Sequence, residues 1–300
     1  MRKCWEFLRR NAFLLLLALV LLLGDLALTR LDPVRSMTSL WRSDYELIAL
    51  EHPDMTFDRA FFGSSVVIAS YIEGQNPTGY VNLGIDYGTV ADITEMLEGG
   101  FVTVTGDLVL GLNDISFYDP LPTNNAYPWH RRWYEPYLYF HRDRLGPLVT
   151  KGAENLLQGR PFVSERFPDQ ARAVYYGAIS DEELAKSEEK MLEQFGSMTL
   201  EDCAQNFAAL DRLAAWCAGH GVRLRAVWMP WNPKTAVYPA ARTLMDYANE
   251  RFDRLGIEVL DLTDAVPEEY FYDMGHLDYT AGAPWFTDLI DPWLAEEGAP

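Results

Sequence analysis

The sequence predicts an α/β protein, a three-layer αβα sandwich with a parallel five-stranded sheet, preceded by one N-terminal transmembrane helix. Five short apolar runs alternate with amphipathic helical segments, which is typical of parallel strands covered on both faces. Hydrophobic residues make up 49% of the 300 residues, and charged residues make up 23%. The chain is therefore long and apolar enough to bury a core. Its formal charge of −19 argues against a nucleic-acid-binding protein, which needs a basic surface.

The N-terminal segment is basic and then strongly apolar. The first ten residues carry a net charge of +3, which leaves −22 for the rest of the chain. Residues 12–28 are apolar except for Gly24 and Asp25, and about 17–25 such residues span a bilayer. The segment is either an uncleaved signal anchor or a cleaved signal peptide. We favour the anchor because no convincing small-x-small cleavage site and no lipoprotein cysteine follow the apolar run.

This segment sets the predicted domain organisation. Basic residues ahead of an apolar span keep the N-terminus in the cytoplasm, so the rest of the chain is expected on the extracytoplasmic side of the cell membrane. Residues 1–29 are then the cytoplasmic tail and the anchor, residues 30–58 are a connector, and residues 59–300 form the α/β domain.

Each later element follows from its own apolar pattern. Strands are predicted at residues 59–62, 79–84, 107–110, 224–229 and 258–262. Helices are predicted around residues 93–97 and at residues 181–195, 200–218 and 240–255. For such an alternation we expect the strand order 2-1-3-4-5, as in flavodoxin-like folds.

The three cysteines predict neither a disulfide nor a metal site. Cys203 and Cys217 fall in one predicted helix, fourteen residues apart, which is about 21 Å along the helix axis. A disulfide needs Cα atoms within about 7 Å of each other. The chain has no CxxC motif and no closely spaced His/Cys cluster, so we expect no structural zinc and no cofactor.

Residues 117–169 interrupt the alternation. They are rich in Pro, Tyr, Trp and Arg and too long for an ordinary connection, so we interpret them as an insertion beside the carboxyl edge of the sheet. The aromatic residues either form a small structural core or line a lid or substrate groove. In the second case, Arg131 and Arg132 are candidates for holding a phosphate or carboxylate.

The chemistry-bearing residues follow predicted strands. In an open parallel sheet, ligands bind outside the carboxyl ends of the strands. Ser65 follows the first strand, Asn113 follows the third, and Asp273 and His276 follow the fifth. His276 can accept the proton that makes a serine hydroxyl nucleophilic, and Asp273 can orient the imidazole. The Asn113 side chain can donate to a developing oxyanion.

Each of these residues also has a structural interpretation when it is taken alone. Ser65 can cap a helix, Asn113 can belong to a turn, and His276 can be a structural histidine. Their joint occurrence, in this order along the chain, favours the catalytic interpretation.

Together these motifs resemble the SGNH (GDSL-type) hydrolase superfamily over residues 59–290. The matching blocks are Gly-Ser-Ser at 63–65, a glycine after the second strand, Gly-Leu-Asn-Asp at 111–114 and Asp-Met-Gly-His at 273–276. The resemblance implies that Ser65 is the nucleophile, His276 the base and Asp273 its partner. It also implies an oxyanion hole made by the Ser65 N–H, the Asn113 side chain and Gly88, with Gly84 as the alternative glycine.

Two positions depart from the pattern of the superfamily. Ser64 stands where the superfamily has Asp, and we expect it to support the turn by hydrogen bonding. Asp278 stands where many relatives have Asn. Gly-Ser-Ser is similar to the membrane-anchored branch, which includes the DltD protein of teichoic-acid D-alanylation and the alginate O-acetylation proteins.

The resemblance to this branch implies a membrane-anchored extracytoplasmic serine acyltransferase or esterase. Its substrate would be O-acyl groups of a cell-surface polysaccharide or teichoic-acid-like polymer. Its partner would be a membrane-bound O-acyltransferase, as for the proteins of this branch. Two alternatives stay open: a plain secreted SGNH esterase, and a catalytically silent protein that binds a glycan or a partner.

Overall fold

The computed structural model describes residues 9–31, 43–121, 127–130, 145–162 and 172–296. The chain forms two compact units: Met1–Ser43 with Asn125–Gln170, and Asp44–Asn124 with Ala171–Pro300. The second unit holds the sheet and begins earlier than the predicted boundary at residue 59. Arg131 and Arg132, the candidates for substrate contacts, lie outside the described residues. The predicted position of residues 117–169 beside the sheet stays a prediction.

The helices and strands follow each other in nearly strict alternation through the sheet unit. The helices are α1 (Ala12–Leu31), α2 (Asp44–Glu51), α3 (Ser65–Ser70), α4 (Val90–Glu98), α5 (Leu145–Leu157), α6 (Asp181–Phe195), α7 (Ala204–His220), α8 (Pro239–Leu255) and α9 (Gly282–Leu294). The strands are β1 (Thr56–Gly63), β2 (Tyr80–Asn82), β3 (Thr103–Leu112), β4 (Arg223–Trp228) and β5 (Glu258–Asp261).

Helix α1 is 20 residues long and rich in leucine. Its large apolar side chains between Phe13 and Leu23 are exposed. Counting only the residues that the structure describes, no helix combines the length and the apolar character that crossing a membrane requires.

The five strands form one all-parallel sheet in the order β2-β1-β3-β4-β5. This confirms the predicted α/β class and the predicted strand order. Both β1 and β3 begin several residues earlier than predicted. Their first halves alternate, with Thr56 and Asp58 exposed around the buried Phe57, so only the continuously apolar second halves were recognised.

The core of the sheet unit encloses residues that the sequence assigned to the insertion. Phe117 is fully buried and stacks on Phe207 of α7, with ring centroids 4.6 Å apart. The chain therefore still belongs to the sheet unit at Phe117, and the second segment of the other unit begins at Asn125.

The predicted helix at residues 200–218 is divided in the structure. A 3-10 turn at Glu201–Cys203 precedes α7. Cys203 and Cys217 are buried free thiols, and burial raises the pKa of each thiol to about 12.

Candidate active site

The candidate site lies where the direction of the strand order reverses, between β1 and β3. Connections that leave the two strands on opposite faces open a crevice at their carboxyl ends. The strands end there on Gly63 and Gly111, which lie side by side. A Cβ on either glycine would clash with the Val67 side chain. The two glycines therefore let α3 start directly against the sheet, which places Ser65 at the crevice.

Ser64 and Ser65 occupy different positions at this turn. Ser64 is the N-cap residue of α3, and Ser65 is the first residue of the helix, so the interpretation of Ser65 as a helix cap is wrong. The Ser64 side chain is 0% exposed, and its hydroxyl has no hydrogen-bond partner in the described part of the chain. The prediction that Ser64 supports the turn by hydrogen bonding is therefore wrong, because packing encloses the hydroxyl where no donor or acceptor reaches it.

Ser65, His276 and Asp273 form a continuous hydrogen-bonded chain. His276 Nε2 lies 2.9 Å from Ser65 Oγ. His276 Nδ1 lies 2.8 Å from Asp273 Oδ2 and 3.0 Å from Oδ1. A carboxylate can only accept, so Nδ1 carries the imidazole proton and Nε2 is left to accept the proton of Ser65. This is the arrangement that a serine nucleophile and its base require.

Asp273 also shapes the loop that carries His276. Its Oδ1 atom accepts the backbone N–H groups of Gly275 at 3.0 Å and His276 at 2.8 Å. Burial raises the pKa of Asp273, but the hydrogen bonds and the charge of His276 outweigh burial and hold this pKa below its ordinary value. The carboxylate is therefore ionised at neutral pH.

Asn232, which the sequence analysis did not single out, anchors the same loop. Its Nδ2 donates to the Asp273 carbonyl at 2.8 Å, and its backbone N–H donates to the Met274 carbonyl at 2.9 Å. Asn232 is buried and follows β4 by four residues. Asn232 follows a strand at the same sheet edge as Ser65, and this position in the sequence could have marked it as a candidate site residue.

Tyr175 packs on the candidate base. Its ring stacks on His276 with centroids 4.3 Å apart and planes 29° apart, and burial raises the pKa of its hydroxyl to about 12. The segment around it is bonded to the histidine loop, because the Tyr279 N–H donates to the Tyr175 carbonyl at 2.8 Å. Gly177 N–H donates to Asp278 Oδ1 at 2.6 Å. Tyr175 therefore limits the rotation of the imidazole.

The structure explains why Asp278 stands at a position where many proteins of the SGNH superfamily have Asn. The Asp278 Oδ2 atom accepts the Thr280 hydroxyl and the backbone N–H groups of Thr280 and Ala281 at the start of α9. Together with the Gly177 N–H, the Asp278 carboxylate accepts four hydrogen bonds. Burial raises the pKa of Asp278, but these hydrogen bonds hold the pKa below its ordinary value. A side chain with acceptors alone fits this position better than an amide.

Asn113 is held with its amide nitrogen available. The Asn113 backbone N–H donates to Ser116 Oγ at 3.0 Å, and the Ser116 hydroxyl donates to Asn113 Oδ1 at 2.8 Å. Within the described residues, Nδ2 has no hydrogen-bond partner. Asn113 lines one cavity together with Ser65 and His276. It is thus a turn residue and also fits the role of an oxyanion donor.

The predicted glycine donors are engaged elsewhere. Gly84 N–H donates to Asn82 Oδ1 at 3.0 Å, and Gly88 N–H donates to the Ile85 carbonyl at 2.9 Å. The space around Gly88 still requires glycine, because a Cβ would come within 2.7 Å of the Gly63 carbonyl oxygen. Among the described residues, the Ser65 N–H and Asn113 Nδ2 are therefore the candidates left for the role of oxyanion donor.

Asp86, between the two glycines, is a second carboxylate at the cavity. It lines the cavity with Ser65 and His276. Burial raises the pKa of Asp86, and the charge of His276 partly offsets this. The sequence analysis missed Asp86 because its nearness to His276 depends on how the two loops meet. Asp86 therefore adds a second carboxylate to the cavity that His276 lines.

Replacing Asn113 by Ala is expected to lower kcat for an activated ester by about 10²–10³-fold, the usual cost of losing one oxyanion donor. Turnover of p-nitrophenyl acetate measures the loss, and thermal unfolding checks that the fold is intact. Ser116→Ala keeps the Asn113 amide but removes the hydroxyl bonded to its Oδ1, so a smaller loss is expected in this variant. An unchanged rate in Asn113→Ala would remove Asn113 from the oxyanion hole.

Comparison with known proteins does not indicate a function for this chain. No protein-family model matches this chain, and a search among curated proteins finds no match to it. In the described part of the chain, no group of three or more His, Cys, Asp or Glu side chains is placed to hold a metal ion. A function is therefore inferred from the hydrogen-bonded chain that runs from Ser65 through His276 to Asp273.

Proposed function

We propose that this protein is a membrane-anchored serine esterase or acyltransferase with a three-layer αβα domain of the SGNH type. Its substrates would be O-acyl groups of a cell-surface polysaccharide or teichoic-acid-like polymer. One observation carries the proposal: Ser65 Oγ, His276 and Asp273 are joined by contacts of 2.9 Å and 2.8 Å at the carboxyl edge of a parallel sheet.

The arrangement supports acyl transfer through an acyl-serine. His276 Nε2 takes the Ser65 proton while Oγ bonds to the carbonyl carbon of the ester, and the carbonyl oxygen becomes an oxyanion. The Ser65 N–H and Asn113 Nδ2 stabilise that charge. The intermediate expels the alcohol oxygen, which takes the proton from His276.

The second half of the reaction decides between the two activities. A hydroxyl group attacks the acyl-serine after losing its proton to His276, and Ser65 leaves as the restored alcohol. When water supplies the hydroxyl, the protein is an esterase. When a glycan supplies it, the protein is an acyltransferase. An acceptor glycan that outcompetes water for the acyl group would establish the transferase.

The membrane location rests on the N-terminal segment. Its four basic residues precede a 20-residue helix with exposed leucine side chains. A basic flank places the following domain outside the cytoplasm. The partnership with a membrane-bound O-acyltransferase rests on the resemblance to the anchored branch alone, and the presence of such a gene beside this one is the observation that would support it.

Labelling of the purified full-length protein with a fluorophosphonate tests the catalytic proposal. The reagent is expected to modify Ser65 and not Ser64, as read by peptide mass spectrometry. Labelling is expected to fall sharply in His276→Ala, because the base is removed, and to fall less in Asp273→Asn. Label on Ser64, or labelling that is indifferent to His276, would overturn the assignment. No labelling of a folded protein would favour the catalytically silent alternative.

A further inference from the structure

The cavity beside Ser65 continues well beyond the reacting groups. It has a volume of about 310 Å³, within the range of roughly 300–1,000 Å³ typical of small-molecule sites. Residues after all five strands line it, from Ser65 after β1 to Thr263 after β5. Three spacings of about 4.8 Å separate β1 from β5, so the cavity extends on the order of 14 Å along the sheet edge.

The two ends of this cavity differ in chemistry. Ser65, His276 and Asn113 stand together at the reacting end. Away from them a mostly apolar wall is formed by α6, by α8, and by residues between β4 and α8: Met191, Phe195, Met229, Val237, Ala241 and Met245. The polar side chains of Ser187, Lys190 and Gln194 on α6 line the cavity as well, and Lys190 and Gln194 are exposed. The apolar wall suits a hydrocarbon, because the hydroxyl groups of a sugar lying against these six side chains would find no hydrogen-bond partner among them.

Four flexible methionine side chains contribute to the lining of the cavity. Met191, Met229, Met245 and Met274 all line the cavity. Methionine is unbranched and flexible, so it fits around ligands of different shape. An acetyl group has a single methyl group beyond its carbonyl, and it would leave most of this apolar surface uncovered.

We infer that the cavity binds the acyl chain of the substrate ester, and that this chain is an apolar group longer than acetyl, of about the length of hexanoyl or octanoyl. The inference rests on the proposed function, since the carbonyl of the chain must lie at Ser65. It narrows that function to esters of medium-length acyl groups.

A series of p-nitrophenyl esters tests the inference on the full-length protein in nanodiscs, where no free detergent competes for the cavity. From acetate through butyrate to hexanoate, kcat/KM is expected to rise by about fourfold for each buried methylene. A flat or falling series, while fluorophosphonate still labels Ser65, would overturn the inference and leave the proposed function standing. Absence of both labelling and turnover would instead overturn the proposed function.

Substitutions at Met245 test where the chain lies. Met245→Trp fills the cavity and is expected to lower the ratio of kcat/KM for hexanoate to that for acetate. Met245→Ala enlarges the cavity and is expected to move the optimum to a longer ester. Asp246→Trp is the matched control, because Asp246 is the exposed neighbour on α8 and does not line the cavity. Equal ratios in all three variants would contradict the inference.

Binding provides a measurement that does not depend on turnover. Calorimetry on Ser65→Ala is expected to show tighter binding of neutral octanamide than of acetamide, and weaker octanamide binding when Met245→Trp is added. Equal affinity for the two amides would overturn the inference even if the esters are hydrolysed.

Discussion

Replacing Ser65 by Ala is expected to lower kcat for an activated ester by about 10⁶-fold, the usual loss when a serine nucleophile acts as a unit with its base. The physical reason is the contact of 2.9 Å between Ser65 Oγ and His276 Nε2, through which His276 would accept the proton of that hydroxyl in the proposed mechanism. Initial rates with p-nitrophenyl esters measure the loss, and thermal unfolding is expected to be little changed.

Ser64→Ala is the matched control for this experiment. The Ser64 hydroxyl is buried without a hydrogen-bond partner among the described residues, and removing an unpaired buried hydroxyl is neutral or stabilising. This variant is therefore expected to keep its activity and to unfold at the same or a higher temperature. Loss of activity in Ser64→Ala with retention in Ser65→Ala would reverse the roles of the two serines.

Asp273→Asn is expected to lower kcat by about 10⁴-fold, the loss that the same change causes in a Ser-His-Asp triad. An asparagine can keep the Oδ1 acceptor for the N–H groups of Gly275 and His276, so the loop is expected to survive. Its NH₂ group would donate to His276 Nδ1, which moves the imidazole proton to Nε2. That nitrogen could then no longer accept the proton of Ser65.

The lowered pKa of the Asp273 carboxylate predicts that the thermal stability of the protein depends on pH. The pKa of Asp273 is held below its ordinary value in the folded protein, so its ionised form stabilises the fold above about pH 4. This contribution is lost as the pH falls through the lowered pKa. The difference in Tm between the wild type and Asp273→Asn is therefore expected to be largest near neutral pH and to shrink under acid conditions.

Two results would contradict this role of Asp273. Equal kcat in the wild type and in Asp273→Asn would show that the orientation of His276 does not depend on the carboxylate. A Tm difference that grows as the pH falls would show that the carboxylate does not stabilise the folded state through its ionised form.

The architecture was predictable because its signals are local. Short apolar runs alternating with amphipathic helices require crossover connections, and these lead to a parallel sheet. The first halves of β1 and β3 were missed because Thr56 and Asp58 are exposed in β1, and Thr103 and Thr105 are exposed in β3. When exposed and buried residues alternate over only three or four positions, the sequence alone cannot be distinguished from that of a polar loop.

The candidate site was predictable only where residues follow strands. Ser65, Asn113, Asp273 and His276 were named from this position and from the motifs. Asn232 and Tyr175 were not named, because each acts through a contact with a loop remote in sequence, 41 residues away for the bond from Asn232 to Asp273. No local pattern records such a contact.

The sequence by itself determined the strand order and the set of four groups that the sheet edge brings together. The tertiary structure alone decided that the Ser64 hydroxyl is enclosed without a hydrogen-bond partner among the described residues, while the neighbouring Ser65 hydroxyl faces His276. It also decided that the N–H groups of Gly84 and Gly88 are used within their own loop. The direction of a hydroxyl or an N–H depends on backbone torsion angles and on neighbours from other strands, and neither is encoded in a motif of residue types.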